Sequence, residues 1–353
     1  MSRMWFFYKG SFQNEHLDYC IENIEGFFVN TFAGLSFLEA IDTEFFQKLN
    51  RTNLVKKYLK GFHENYNKLS LDDKFLIKGS FRINTDIELI CVSKLKPVKY
   101  SELPGLIRID LENISNYLYD DFPKVKYFKE SVGSLKEYYH QFYEHNFSQN
   151  TLCPFCGLKF MKTSGDKRRE PFDHYLLRSQ YPFVSLVRNN LVPMCHDCNE
   201  DYKKEYDIST VKVFYPFTEA ESDVELKVNG NEIEIHSDRF NEEVEAWNNI
   251  FDVKQRVKNY VQIHKSAILS NLTEFEWIAG EKEMLECLER KVEAYNSYLY
   301  CRDNYIEKAI LLDEFSDIIH EEIKVISTVL PNASSHQSNN EHSTKEKREL
   351  IRK

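Results

Sequence analysis

Glycine and proline are scarce in this chain, 11 and 9 residues in 353. So little turn-forming material disfavours an all-β sandwich or barrel and points to helices. No apolar run approaches the roughly 20 residues that cross a bilayer, which excludes a membrane-spanning reading. The start, MSRMWFFYKG, has one short aromatic run and then turns polar, so a secretory leader is not expected. The basic excess of a general nucleic-acid binder is also missing. The formal charge is −10, and any nucleic-acid contact must be local. No repeat of the solenoid kind is present.

What is present argues for a folded protein: 42% hydrophobic and 14% aromatic residues, with 26 Phe and 21 Tyr beside three Trp. The length allows two or three domains. Eight cysteines occur, four of them in two CxxC pairs. With no leader, a reducing cytoplasm is the expected compartment. Paired CxxC motifs there hold metal more often than they form disulfides.

Residues 1–148 read as a mainly helical region. Leu38, Ile41, Phe45 and Leu49 recur at helical spacing and are expected to be core. Pro97, Pro104 and Gly105 mark loops. Ser134 to Asn146 reads as a helix, with Leu135, Tyr138, Tyr139 and Phe142 on one face. Residues 149–217 form a separate module. Residues 218–330 combine a hairpin and helices. In the hairpin, apolar residues alternate from Val224 to Ile235 about a turn expected at Asn229-Gly230. Val244, Trp247, Phe251, Val257 and Val261 trace one helical face; Leu285, Leu288, Val292, Tyr295 and Leu299 trace another. Residues 331–353 are polar and read as a disordered tail. The fold class is α+β, a small module embedded in helices.

The module runs CPFCG, then FDHYLLRSQYP, then NNLVPMCHDCNEDYKK. It carries nine Lys or Arg against seven acids between Asn150 and Tyr206, so the acidity lies outside it. Cys153 and Cys156 form one pair, Cys195 and Cys198 the other. Two such knuckles complete a closed tetrahedral Cys₄ site, which suits structural Zn²⁺. A redox CxxC and an iron–sulfur centre are the alternatives. His196, inside the second knuckle, is read as a spacer because four Cys already fill the site.

Asp173-His174 pairs a hard oxygen ligand for a divalent ion such as Mg²⁺ with a base that titrates near neutrality. Phosphodiester hydrolysis needs both. Alone, the dipeptide means little. Glu200 to Tyr206 reads as a helix on which Asn199 and Lys203 share a face, an oxygen ligand beside a cation. Lys203, Lys204, Arg178 and Arg188 are candidates to bind phosphate. Arg168 and Arg169 read equally well as a solvated charge run.

In this order the motifs resemble the zinc-knuckle branch of the HNH endonucleases, whose fold is the ββα-metal (His-Me) finger. The resemblance covers residues 153–204. It implies His174 as general base, Asp173 and Asn199 as ligands of the catalytic ion, and Asn190 as the residue holding the imidazole and its loop. The four Cys would bind structural zinc. Two positions depart from the pattern: the third signature residue is Asn rather than His, and Leu177 stands where Pro is frequent. The resemblance implies an endonuclease acting on nucleic acid, with DNA favoured and RNA the alternative. By analogy it also implies an effector in bacterial anti-phage defence of the Septu-like kind, with an ATPase or another defence-system protein as partner and a homo-oligomer for double-strand cuts. A non-catalytic zinc-knuckle binding module is the competing reading.

Overall fold

The computed structural model describes residues 12–146, 152–218, 223–230 and 232–279, together with Ile306 and Ile310; side chains are described through Ala267 in the last long segment. The expected apolar face from Leu285 to Leu299 and the tail 331–353 lie outside the described residues.

The architecture is α+β and mainly helical. Among the described residues nine α-helices precede the first strand: α1 (Glu15–Phe32), α2 (Phe37–Ala40), α3 (Thr43–Leu49), α4 (Lys60–Asn67), α5 (Leu71–Asn84), α6 (Ile87–Cys91), α7 (Gly105–Asp120), α8 (Lys126–Ser131) and α9 (Leu135–Asn146). Local chemistry sets their starts. Asn14 Oδ1 accepts the Leu17 N–H ahead of α1, and Ser70 Oγ accepts the Asp73 N–H ahead of α5.

The apolar stripe expected from Leu38 onward is not one helix. It is cut into α2, α3 and a π-helical segment, Leu54–Leu59, that feeds α4. The Asp42 carboxylate accepts the Phe45 N–H and so starts a new helix in the middle of the stripe. Ile41, Phe45 and Leu49 are core, whereas Leu38 is 69% exposed.

Two short antiparallel pairs follow. Strand β1 (Phe172–His174) pairs with β2 (Leu191–Pro193), Asp173 opposite Val192. Strand β3 (Glu225–Asn229) pairs with β4 (Glu232–His236). The turn between β3 and β4 sits one residue later than Asn229-Gly230 implies. Asn229 pairs with Glu232, so the strand runs through Asn229, and Gly230 follows it with φ +60°. This register sets Val228 against Ile233 and Leu226 against Ile235. A turn centred on Asn229-Gly230 would set Val228 against a polar Asn. Apolar pairing on the buried face therefore decides the register. Helices α10 (Asn241–Phe251) and α11 (Val253–Ala279) follow. Val244, Trp247, Phe251, Val257 and Val261 are all buried, as their spacing predicts.

The apolar residues form two cores. One lies among α1–α5, α7 and α8, with Tyr138 of α9. The other joins the rest of α9, the module, the second hairpin, α10 and α11; buried Ile87, Ile90 and Cys91 of α6 belong to it. The sequence boundary at residue 148 is not a gap in packing, because Phe183 and Leu186 of the module belong to the first core. The Phe183 ring meets Phe28 and Phe81 edge-on at 5.2 Å each. Buried Asn84 fastens the same loop, donating to the carbonyls of Pro182 at 3.0 Å and Val98 at 2.8 Å.

Candidate functional site

The two knuckles come together. The ligand atoms of Cys153, Cys156, Cys195 and Cys198 all lie within 4.8 Å of one another, and all four residues are buried. Sγ–Sγ distances between the knuckles are 4.0 Å for Cys153–Cys198 and 3.9 Å for Cys156–Cys195. Thiolates around zinc at about 2.3 Å stand roughly 3.8 Å apart in a tetrahedron, whereas a disulfide needs about 2.05 Å. The four Cys can therefore hold a metal ion such as zinc, and the spacing does not suit disulfides. Among the described residues no second group of three or more Cys, His, Asp or Glu ligands converges in this way. Exposed His196 stands outside the cluster.

The surroundings of the knuckles are built by α10 and α11. The Trp247 ring stacks on Phe155 at 4.9 Å and 6°, and its Nε1–H donates to the Phe155 carbonyl at 2.7 Å. Arg256 donates to Cys198 Sγ at 3.4 Å and lies over the Tyr202 ring. Burial pushes the Cys153 and Cys198 thiols well up, while hydrogen bonds from the neighbouring thiols pull Cys156 well down. Like charge cannot accumulate in a dry site. A divalent cation, with Arg256 beside it, is what would let all four ionise. Arg256 lies 58 residues from Cys198, and no local motif marks it.

Strand β1 carries Asp173 and His174, and its register is regular. Adjacent strand residues face opposite ways, and these two meet different neighbours. Asp173 Oδ2 lies 2.7 Å from the Lys203 ammonium. The His174 ring packs on Tyr119 of α7, centroids 5.2 Å apart, and Arg178 covers that tyrosine at 4.2 Å while donating to Asn116 Oδ1. Burial, aided by the charges of Arg178 and Lys203, holds the His174 imidazole down at about 3, so it is neutral near pH 7. Burial raises Asp173 above its usual value against the pull of Lys203, and the Glu200 charge adds to the rise.

Asn190 is fully buried and stitches the loop that follows His174. Its Oδ1 accepts the Leu176 N–H at 2.7 Å, and its Nδ2 donates to the carbonyls of Leu176 and Val184. The resemblance implies a hold on both imidazole and loop; the hydrogen bonds go to the loop, and the ring neighbour is Tyr119 instead.

The helical turn expected at Glu200–Tyr206 begins earlier, at Asp197, and ends at Lys203 with π-helical spacing. Lys204 has φ +46°, which stops it. Asn199 lies on this turn, and its Nδ2 donates to Glu200 Oε1 at 2.8 Å. Lys203 is not the surface phosphate ligand its position in the motif suggested. It is 1% exposed, pairs with Asp173 and donates to the His174 carbonyl at 3.4 Å. Arg188 is likewise engaged, in an ion pair with Asp18 of α1. Arg178 sits beside His174, and Lys204 is exposed. Of the charge run, Arg168 is exposed, whereas Arg169 lies over the Phe172 ring at 5.2 Å.

The oxygen donors at this second place suit a hard divalent ion in kind: the Asp173 and Glu200 carboxylates and the Asn199 amide. The Lys203 ammonium already supplies the counter-charge. Tyr119 and Glu200 are the residues the motif did not reveal. Tyr119 comes from a helix more than fifty residues earlier, and Glu200 is hidden as one acid in the run NEDYKK.

Comparison with models of protein families, with curated proteins and with solved structures finds no match for this chain. Among the described residues no helix is long and apolar enough to cross a membrane.

Proposed function

We propose that this chain is a metal-dependent phosphodiester hydrolase of the HNH kind, cutting nucleic acid, with DNA favoured over RNA. The observation that carries the reading is the order of elements: β1 with Asp173-His174, β2 opposite it, then the turn with Asn199 and Lys203, all beside the four-cysteine centre. The cysteines hold structural zinc. Asp173 and Asn199 hold the catalytic Mg²⁺ or a similar divalent ion, which supplies charge stabilisation for the phosphate and the leaving oxygen.

His174, neutral at physiological pH, accepts the proton of the attacking water at its ring nitrogen. Arrival of an anionic phosphodiester raises the basicity of that ring, because a nearby negative charge favours the imidazolium. Asn190 fixes the loop that aims the ring. Lys203, 2.7 Å from Asp173, would share that carboxylate with the ion. Arg178 and Lys204 meet phosphate. The wider proposal, an anti-phage effector working in the cytoplasm with an ATPase partner, rests on the resemblance alone.

Two contacts favour a second reading, a zinc module that binds without cutting: the ammonium on Asp173 and the Tyr119 ring on His174. The decisive experiment incubates the purified chain with plasmid DNA and with tRNA, with and without Mg²⁺, beside His174→Ala. The hydrolase reading expects Mg²⁺-dependent cleavage that falls by about 10²–10⁴-fold in the variant, with zinc content unchanged. Equal cleavage by the variant sinks the role of His174. No cleavage by either protein leaves the binding module.

A further inference from the structure

A cavity of about 330 Å³ lies between the N-terminal helices and the module, and His174 forms part of its wall. That volume falls at the lower end of ligand sites, roughly 300–1,000 Å³. The wall carries aromatic rings from four places in the chain: Tyr119 of α7, Phe122 and Phe128 near α8, Tyr138 of α9 and Phe172 of β1. The same wall carries three cations, Lys124, Arg169 and Arg188, and one acid, Asp120; Arg188 pairs with Asp18, and exposed Lys124 lies 3.5 Å from exposed Asp121. Arg169 lies over the face of Phe172.

We infer that this cavity receives an unpaired nucleobase of the substrate, so that the chain acts on single-stranded or locally unstacked nucleic acid. The inference rests on the hydrolase reading for the identity of the polymer. It names the class of substrate that the reading leaves open.

Three features select this occupant. Aromatic side chains in the wall suit a planar π-system, which such rings bind without regard to sequence. Arg169 in the wall and solvent-exposed Lys124 are cations that the phosphates on either side of that base can meet. The ring of His174 is reached from this cavity, so a base seated inside brings its own backbone to the candidate proton acceptor. A base that remains paired and stacked in a duplex cannot enter a recess of this kind. Unstacking is cheapest where the strand is already single, which makes the cavity a selector.

The test uses the full-length, zinc-loaded chain and oligonucleotides containing 2-aminopurine, as DNA and as RNA, single-stranded and in duplex, with no Mg²⁺ added. The expected result is binding of the single strands about tenfold or more tighter than the duplexes, with the fluorophore shielded from acrylamide. Leu118→Trp fills the cavity from α7, and Leu135→Trp fills it from α9. Each should lower single-strand affinity by about tenfold while duplex binding stays as it was. Far-ultraviolet circular dichroism and zinc content identify a variant that fails to fold, and the wild-type contrast between single strand and duplex stands without either variant. Duplex bound as tightly as single strand overturns the inference, as do two folded variants that bind single strands like wild type, or an accessible fluorophore. A chain that cleaves duplex with Mg²⁺ but does not shield 2-aminopurine loses the base pocket and keeps the hydrolase. One that shields it and cleaves nothing keeps the pocket and loses the hydrolase.

Discussion

The four-cysteine centre and the Asp173–His174–Asn199 group are written into the same short stretch, yet the fold finishes them differently. The thiols converge with Sγ distances of 3.9 and 4.0 Å, already at the spacing of a tetrahedral metal site. The second group converges on something else. Asp173 is held by Lys203, Asn199 by Glu200, and His174 lies against Tyr119. A motif whose members need only each other is complete once its two knuckles meet. A motif whose members also answer to residues far away takes a shape that those residues help to decide.

If the comparison is right, the largest effect belongs to the clamp. Cys198→Ser should remove the metal and cost on the order of 10 kcal/mol, the scale of structural zinc binding. Zinc content by mass spectrometry and limited proteolysis of residues 152–218 check it. A variant that keeps one zinc per chain and resists protease as before would end the clamp reading.

The second group is probed at Lys203. Lys203→Met keeps the bulk of the side chain and leaves the Asp173 carboxylate buried without its ammonium, which costs about 3 kcal/mol. Millimolar Mg²⁺ or Mn²⁺ should then raise the melting temperature of the variant more than that of wild type, because the ion no longer competes with an internal cation. Equal shifts in the two proteins would show that the ion does not bind at Asp173.

How much could be read in advance follows the same division. Cys153, Cys156, Cys195 and Cys198 were legible because two CxxC pairs in one short stretch have few uses other than holding a metal. The buried faces of α9 and α10 were legible because helical periodicity is local. The burial of Lys203 was not, since a lysine in NEDYKK reads as a surface cation; its partner sits thirty residues earlier, on a strand. Tyr119 and Arg256 were invisible for the same reason. The break between α2 and α3 was written locally, in the Asp42 cap, but the apolar stripe around it was the stronger signal.

Support for the clamp from outside the motif is tested at Trp247. Trp247→Phe keeps an aromatic ring on Phe155 and removes the indole donor from the Phe155 carbonyl. An orphaned buried acceptor costs about 1–3 kcal/mol, and urea unfolding measures it. A loss below experimental error would mean that α10 adds only its apolar surface to the knuckle.

The joint between module and helices is tested at Asp207. Burial pushes its carboxyl up, but hydrogen bonds from Tyr181 and Ser209, with the Lys99 ammonium at 3.2 Å, outweigh burial and hold it below its usual value. A depressed folded value stabilises the fold above the ordinary pKa of 3.8, and the contribution disappears as pH falls through the lower folded value. Asp207→Asn should therefore cost about 1 kcal/mol near pH 7. The gap from wild type should close only in strongly acidic solution. A gap that does not change with pH would assign the effect to shape rather than charge.

The smallest effect separates a local signal from a distant one most directly. Asn229-Gly230 reads as the turn of the second hairpin, yet the register places Gly230 first in the loop and leaves Asn229 in the strand, paired with Glu232. Gly230 has φ +60°, where a side chain is strained, so Gly230→Ala should cost about 1 kcal/mol. Asn229 is exposed and does not have positive φ, so Asn229→Ala should cost less than half of that. Chemical denaturation of the two variants side by side decides the matter. A larger loss at Asn229 than at Gly230 would restore the dipeptide turn and pair Val228 with residue 231. It would also mean that turn chemistry, not the apolar pairs Val228–Ile233 and Leu226–Ile235, sets the register.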